Sequence, residues 1–210
     1  MTKTLSLLVI SLLTLPSLSN AADREWRFRV FLDNKEIGYH EFRLKERDGQ
    51  QLLETEANFE YKLLFIKLYE YTHENSEIWK GGCLERIESR TDANGKPYEV
   101  SGVLADNRFV LQSEDGALEL PSCVMSFAYW NPAFLSQDRL INTQNGDFID
   151  VQVGAPERVD LEVRGSIQPA LRYRLNAKAL GIELWYSENQ EWLGLEADAA
   201  GGRKLRYELI

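Results

Sequence analysis

The sequence is poor in the residues from which chemistry is most easily read. Its 210 residues hold two histidines, two cysteines, two methionines and six prolines. No Gly-x-Ser-x-Gly elbow, P-loop, dinucleotide fingerprint or calcium loop occurs, so the chemistries that depend on those spacings have no support. A Pro/Gly/Ser-rich linker is also missing, and residues 22–210 are expected to form one β-rich domain with a sizeable core. No second long apolar run follows Leu5 to Leu18, so stable membrane insertion is not expected.

That single run sits at the start. Met1-Thr2-Lys3-Thr4 carries one positive charge, and Ser19-Asn20-Ala21 ends the run with small residues where a signal peptidase needs them. Residues 1–21 read as a signal peptide cleaved near Ala21, which makes the product periplasmic or secreted. The run is shorter than the roughly 20 residues a bilayer span requires. No cysteine follows it, which argues against a lipid-anchored product.

Beyond Ala21, 23 basic residues stand against 33 acidic ones, with both signs interleaved. Such a surface favours solubility and argues against nucleic acid or an anionic membrane as the main partner. In an exported chain two cysteines usually pair, so Cys83 and Cys123 are expected to form a disulfide, free thiols being the alternative. The loop so closed is worth about 4 kcal/mol in the chain-entropy model.

What the chain has in abundance is period-two alternation, the mark of strands with one buried face. Trp26, Phe28, Val30 and Leu32 alternate with arginines, and Leu53, Thr55, Ala57, Phe59 and Tyr61 with glutamates and other polar residues. Further strands are expected around 84–91, 98–104, 108–112, 117–120, 149–153, 159–163 and 171–175, with a three-stranded meander closing the chain. Asp48-Gly49, Asn94-Gly95, Asp106-Asn107, Asp115-Gly116 and Gly201-Gly202 mark the turns. The fold class is therefore all-β, an antiparallel open barrel or strongly curved sheet. Around residues 125–138 the pattern breaks, and Asn131-Pro132 suggests a short helical insert lying across the sheet.

Both histidines lie in this β-rich part. In "YEYTHENSEIW" His73 and Glu77 have the spacing of a damaged zinc-protease motif, but the second histidine is missing. The local pattern is extended: Tyr69, Tyr71, His73, Asn75, Glu77 and Trp79 share one face. A strand separates His73 from Glu77 by about 13 Å and prevents a direct bond. His40 lies on the Phe42/Leu44 face of its own strand, and the two imidazoles are able to converge within a sheet. Without metal-ligand spacing they read as polar tips on apolar faces, and no metal or cofactor is implied.

The segments "WRFRVFLDNKEIGYHEFRL", "YEYTHENSEIW", "YWNPAFLSQDRLINTQNGD" and "LWYSENQEWLGLEADAAGGRKLRYEL" resemble the landmarks of an uncharacterised family of exported bacterial proteins, a domain of unknown function. The resemblance covers nearly all of the chain after Ala21. More loosely, the implied sheet with a helical element over it is similar to periplasmic lipoprotein carriers and other hydrophobic-ligand binders. It implies a fold and a compartment, and no catalytic residues.

Three functions follow as expectations. The first is non-catalytic binding or transfer of a lipid-like or other apolar small molecule, in a cavity lined by His40, Tyr69, Tyr71, His73, Trp79, Tyr129 and Trp130. The second is a hydrolase-like enzyme with His73 or His40 beside a carboxylate. The third is an envelope assembly or protein-interaction module that offers an apolar patch or a sheet edge. Against the first stands the plainer possibility that these aromatics fill a packed core.

Overall fold

Alternation becomes burial in the computed structural model, which describes residues 23–63, 66–178 and 180–210. The expected signal peptide, residues 1–21, lies outside the described residues. Eight strands form a first antiparallel meander: β1 (Arg24–Leu32), β2 (Lys35–Arg47), β3 (Gln50–Leu63), β4 (Ile66–Lys80), β5 (Cys83–Ala93), β6 (Lys96–Ala105), β7 (Arg108–Ser113) and β8 (Gly116–Pro121). Seven more follow: β9 (Arg139–Ile141), β10 (Phe148–Val153), β11 (Glu157–Val163), β12 (Ser166–Ala177), β13 (Leu180–Tyr186), β14 (Trp192–Ala199) and β15 (Arg203–Leu209). The last strand returns to pair with the first, so β1 joins the two runs in the order 8-7-6-5-4-3-2-1-15-14-13-12-10-9, with β11 beside β12. The sheet is antiparallel and not closed, with β8 at one end and β9 at the other.

Turn chemistry sets the strand ends. Asp48-Gly49 and Asp106-Asn107 take positive φ (51° and 75°; 47° and 63°), the backbone twist that two-residue hairpins need and that Asp, Asn and Gly tolerate. Within β2, Gly38 allows a close crossing: a Cβ there would lie 1.8 Å from the Asn58 carbonyl oxygen. The pairing of β1 with β2 shifts register just beyond this point, between Val30 and Phe31.

The outer face carries the interleaved charge. Arg27 and Arg43 both bond the Glu41 carboxylate (2.8 and 2.6 Å), while Lys45 meets Glu54 and Arg174 meets Glu183. Glu41 is itself buried, whereas more exposed pairs such as Lys45–Glu54 add little stability each, and together they keep the outer face of the sheet polar.

The inner face curls round a core that draws on strands from both runs. Phe28 of β1 packs at 4.4 Å from Trp192 of β14, and the Tyr186 hydroxyl of β13 donates to the Tyr129 carbonyl in the segment between β8 and β9. The helical insert is smaller than the sequence suggests. It is a single 3-10 turn over Pro132–Ser136, opened by the Asn131 side chain, which accepts from the Ala133 N–H. The rest of that segment is irregular, and it stitches the two runs together. The Leu84 N–H donates to Val124 O, while in β9 Ile141 accepts from the Phe127 N–H and donates its own N–H to Met125 O. The Cys83–Cys123 disulfide, with Cα atoms 4.9 Å apart, fixes the same junction covalently. A 3-10 turn in place of a helix has a physical reason: Met125, Ala128, Trp130 and Phe134 all point into the core, which leaves little length for a regular helix.

Candidate functional site

Inward residues of β2, β3 and β4 stack in cross-strand rows. One row runs His40, Ala57, His73 and continues to Thr91 of β5. The next runs Phe42, Thr55, Asn75, Ser89, and a third runs Leu44, Leu53, Glu77, Ile87. Because Ala57 is small, the two imidazoles meet above it with ring centroids 6.4 Å apart. The His pair thus converges within the sheet as its alternation allows.

Above these rows the curled sheet forms a cavity of about 990 Å³ that is partly open to solvent. Its walls combine apolar side chains such as Phe42, Phe59, Ile149 and Leu195 with polar ones such as Thr55, His73 and Asn75. Exposed Leu68, Tyr69 and Leu180 stand at its rim, together with Lys178, Asp198 and Arg203. The interior is therefore neither a packed core throughout nor an empty shell. Trp79, Trp192, Phe109 and Phe134 fill the lower part completely, and the cavity occupies the remainder.

Of the candidate residues, His40, Tyr69, Tyr71, His73, Tyr129 and Trp130 line this cavity. Trp79 does not. It is fully buried, packs edge-on against Trp130 at 5.6 Å and donates its indole N–H to Glu77 at 2.8 Å. Alternation places Trp79 on the correct face but says nothing of depth, and a large indole next to Trp130 belongs to the packed region.

Burial sets the electrostatics of the interior. His73 Nδ1 lies 2.8 Å from Thr91 Oγ1 and Nε2 lies 3.4 Å from Thr143 Oγ1. Burial lowers its pKa to about 4, so at neutral pH the ring donates through one nitrogen and accepts through the other. Burial, with a smaller push from His73, also holds His40 well below the usual histidine range, and its Nδ1 meets the Tyr207 hydroxyl at 3.2 Å. Glu77 is 1% exposed, and burial raises its pKa. Its oxygens accept from Asn75 Nδ2 (3.1 Å), Trp79 Nε1 (2.8 Å) and the Ser126 side chain. The His73–Glu77 pair is thus not assembled: each group has other partners, as strand geometry requires. His73 is buried rather than displayed in an open cleft.

Two features went unread in the sequence. Ser89, Thr91, Asn75 and Thr55 form a buried polar patch on inward strand positions, visible beforehand as polar residues in the apolar phase of the alternation. Tyr207 joins the cavity from β15, 167 positions along the chain from His40 and so beyond any local cue to it. Among the described residues no group of three or more His, Cys, Asp or Glu side chains is placed to hold a metal. No helix among them is long and apolar enough to cross a membrane.

With this geometry in place, comparison with known proteins adds a family and a fold. The model of a domain of unknown function, DUF6134, matches residues 28–210. No curated protein matches the chain. Among solved structures, the chain is similar to a β-barrel-like protein of domain of unknown function DUF1849 from Brucella abortus. That likeness has a TM-score of 0.62 at 11% identity and covers 90% of this chain and 95% of the other. At that identity it speaks for the fold alone.

Proposed function

We propose, for a chain that belongs to the DUF6134 family of unknown function, that the protein binds or transfers a lipid-like or other largely apolar small molecule without chemistry, in the periplasm after export. The observation that carries this reading is the cavity of about 990 Å³ inside the curled sheet. Ligand pockets typically span about 300–1,000 Å³ with mainly apolar walls and a few placed polar groups. A gap of this size in an interior that is otherwise close-packed sacrifices contacts that a filled core would make. An occupant restores them.

Export supports the compartment through the leader-like residues 1–21, and the Cys83–Cys123 bridge is compatible with it. Carriage rather than catalysis is favoured because His73 is held by two threonines and Glu77 by Asn75, Trp79 and Ser126.

The test is to fill the space. Ala197 lines the cavity from β14, so Ala197→Phe should place a ring where a ligand would lie. Titration with the uncharged fluorescent dye N-phenyl-1-naphthylamine should give saturable binding to the parent protein and at least tenfold weaker binding to the variant, with cooperative melting retained by both. Equal binding by a folded variant would contradict the reading.

A further inference from the structure

We infer that the part of the ligand held inside the cavity bears an uncharged oxygen-containing group, such as an ester, amide or hydroxyl, which the phenols of Tyr71, Tyr129 and Tyr207 contact. This rests on the carrier reading above and specifies what is carried.

Three elements supply these phenols: β4, the segment between β8 and β9, and β15. All three residues line the cavity. Phe59 holds two of the rings, stacking on Tyr71 at 5.2 Å and meeting Tyr207 edge-on at 6.4 Å. Trp192 holds the third, with its ring 5.2 Å from Tyr129. Rigid aromatic rings from separate parts of the chain, each with a polar tip in one space, form a set of hydrogen-bonding groups with little conformational freedom left to lose, the Tyr207 hydroxyl being shared with His40 Nδ1 at 3.2 Å.

The wall around them is polar as well. Of five buried side-chain atoms without a hydrogen-bond partner among the described residues, four belong to cavity residues: His40 Nε2, Thr55 Oγ1, Asn75 Oδ1 and Trp130 Nε1. A purely hydrocarbon occupant would leave all of this polarity unanswered, which is costly in a water-poor interior.

A charged occupant fits no better. The cations that line the cavity sit at its rim and not in its interior: Lys178 pairs with Asp147 at 3.4 Å, and Arg203 Nε donates to the Ala200 carbonyl at 3.2 Å. Inside, Glu77 is the acidic group of the lining, and its oxygens already have donors. An anion or an ammonium drawn into the interior would lose its hydration without gaining a counter-charge. Neutral oxygen acceptors and hydroxyls suffer no such loss and match phenolic donors.

The experiment compares ligands of one chain length as competitors for bound N-phenyl-1-naphthylamine: methyl decanoate, decanamide, decan-1-ol, decanoate and decylammonium. The uncharged three should displace the dye at concentrations at least tenfold below those of the two ions. Tyr71→Phe and Tyr129→Phe remove only a hydroxyl each, and the fold should tolerate them. Each should weaken the uncharged competitors about tenfold, the loss of one buried hydrogen bond, while the dye binds as before. If the ions compete as well as the neutral compounds, or if both Phe variants leave every competitor unchanged, the inference is overturned and the carrier reading stands. Failure of the parent protein to bind the dye would instead overturn the carrier reading and this inference with it.

Discussion

At the scale of single residues, the most informative groups are those whose polarity conflicts with their depth. His73 is 4% exposed and its pKa is lowered to about 4, against about 6.5 in an unfolded chain. Between those values the unfolded state binds the proton and the native state does not. His73 therefore contributes stability that is fully present above about pH 6.5 and is lost as the pH falls towards 4. The shift corresponds to roughly 3 kcal/mol. Glu77 has the opposite sign: its raised pKa makes acidification favourable to the native state by relieving a buried charge. Urea midpoints measured from pH 7 to pH 4 should fall for the parent protein, and His73→Gln should flatten that fall or reverse it. An unchanged slope in the variant would show that His73 does not control acid lability. Alternation alone assigned His40, Tyr71 and His73 to inward faces. It did not reveal that the imidazoles are neutral, because that depends on Ala57, Thr91 and Thr143 packing around them from other strands.

At the scale of elements, the strands were legible and the connection between the two runs was not. Each expected strand is found, and turns at Asp48-Gly49, Asn94-Gly95 and Asp106-Asn107 fall where their residues tolerate positive φ. β9 was missed, since three residues, Arg139–Ile141, are too short to show a period. The insert was read as more helical than it is. Its core-facing Met125, Ala128, Trp130 and Phe134 follow the cavity and the packed floor rather than a helical face. The junction it forms with β5 depends on the Cys83–Cys123 bridge and on the Leu84–Val124 hydrogen bond of 3.0 Å. Replacing both cysteines by serine should lower unfolding stability by about 4 kcal/mol, from a bridge that spans 40 positions of sequence. Because Tyr129 and Trp130 hang from the same segment, the double variant should also bind N-phenyl-1-naphthylamine more weakly. Guanidinium unfolding and dye titration on one preparation check both effects. Unchanged dye binding with reduced stability would confine the bridge to a structural role.

At the scale of the whole molecule, the path of the chain explains why the cavity escaped a reading of the sequence. The all-β class follows from alternation, since nearly every segment buries one face. Enclosure does not, because it depends on β15 returning to pair with β1 and on the second run curling over the first. Only then does Tyr207 reach His40, at 3.2 Å, and Leu195 join Tyr71 in lining one space. The same curl leaves the sheet open between β8 and β9, with the irregular segment and its disulfide bridging β5 to β9. The exposed rim of Leu68, Tyr69 and Leu180, on β4 and β13, is where a ligand of the proposed kind would enter.

The most direct test of this account is a native mass spectrum of the protein isolated without detergent or organic solvent, set beside the spectrum of the same sample after denaturation. The account predicts an excess mass in the native spectrum, lost on denaturation and recovered in an organic extract as an uncharged, oxygen-bearing lipid-like molecule. Identical native and denatured masses, together with no uptake of N-phenyl-1-naphthylamine, would contradict it.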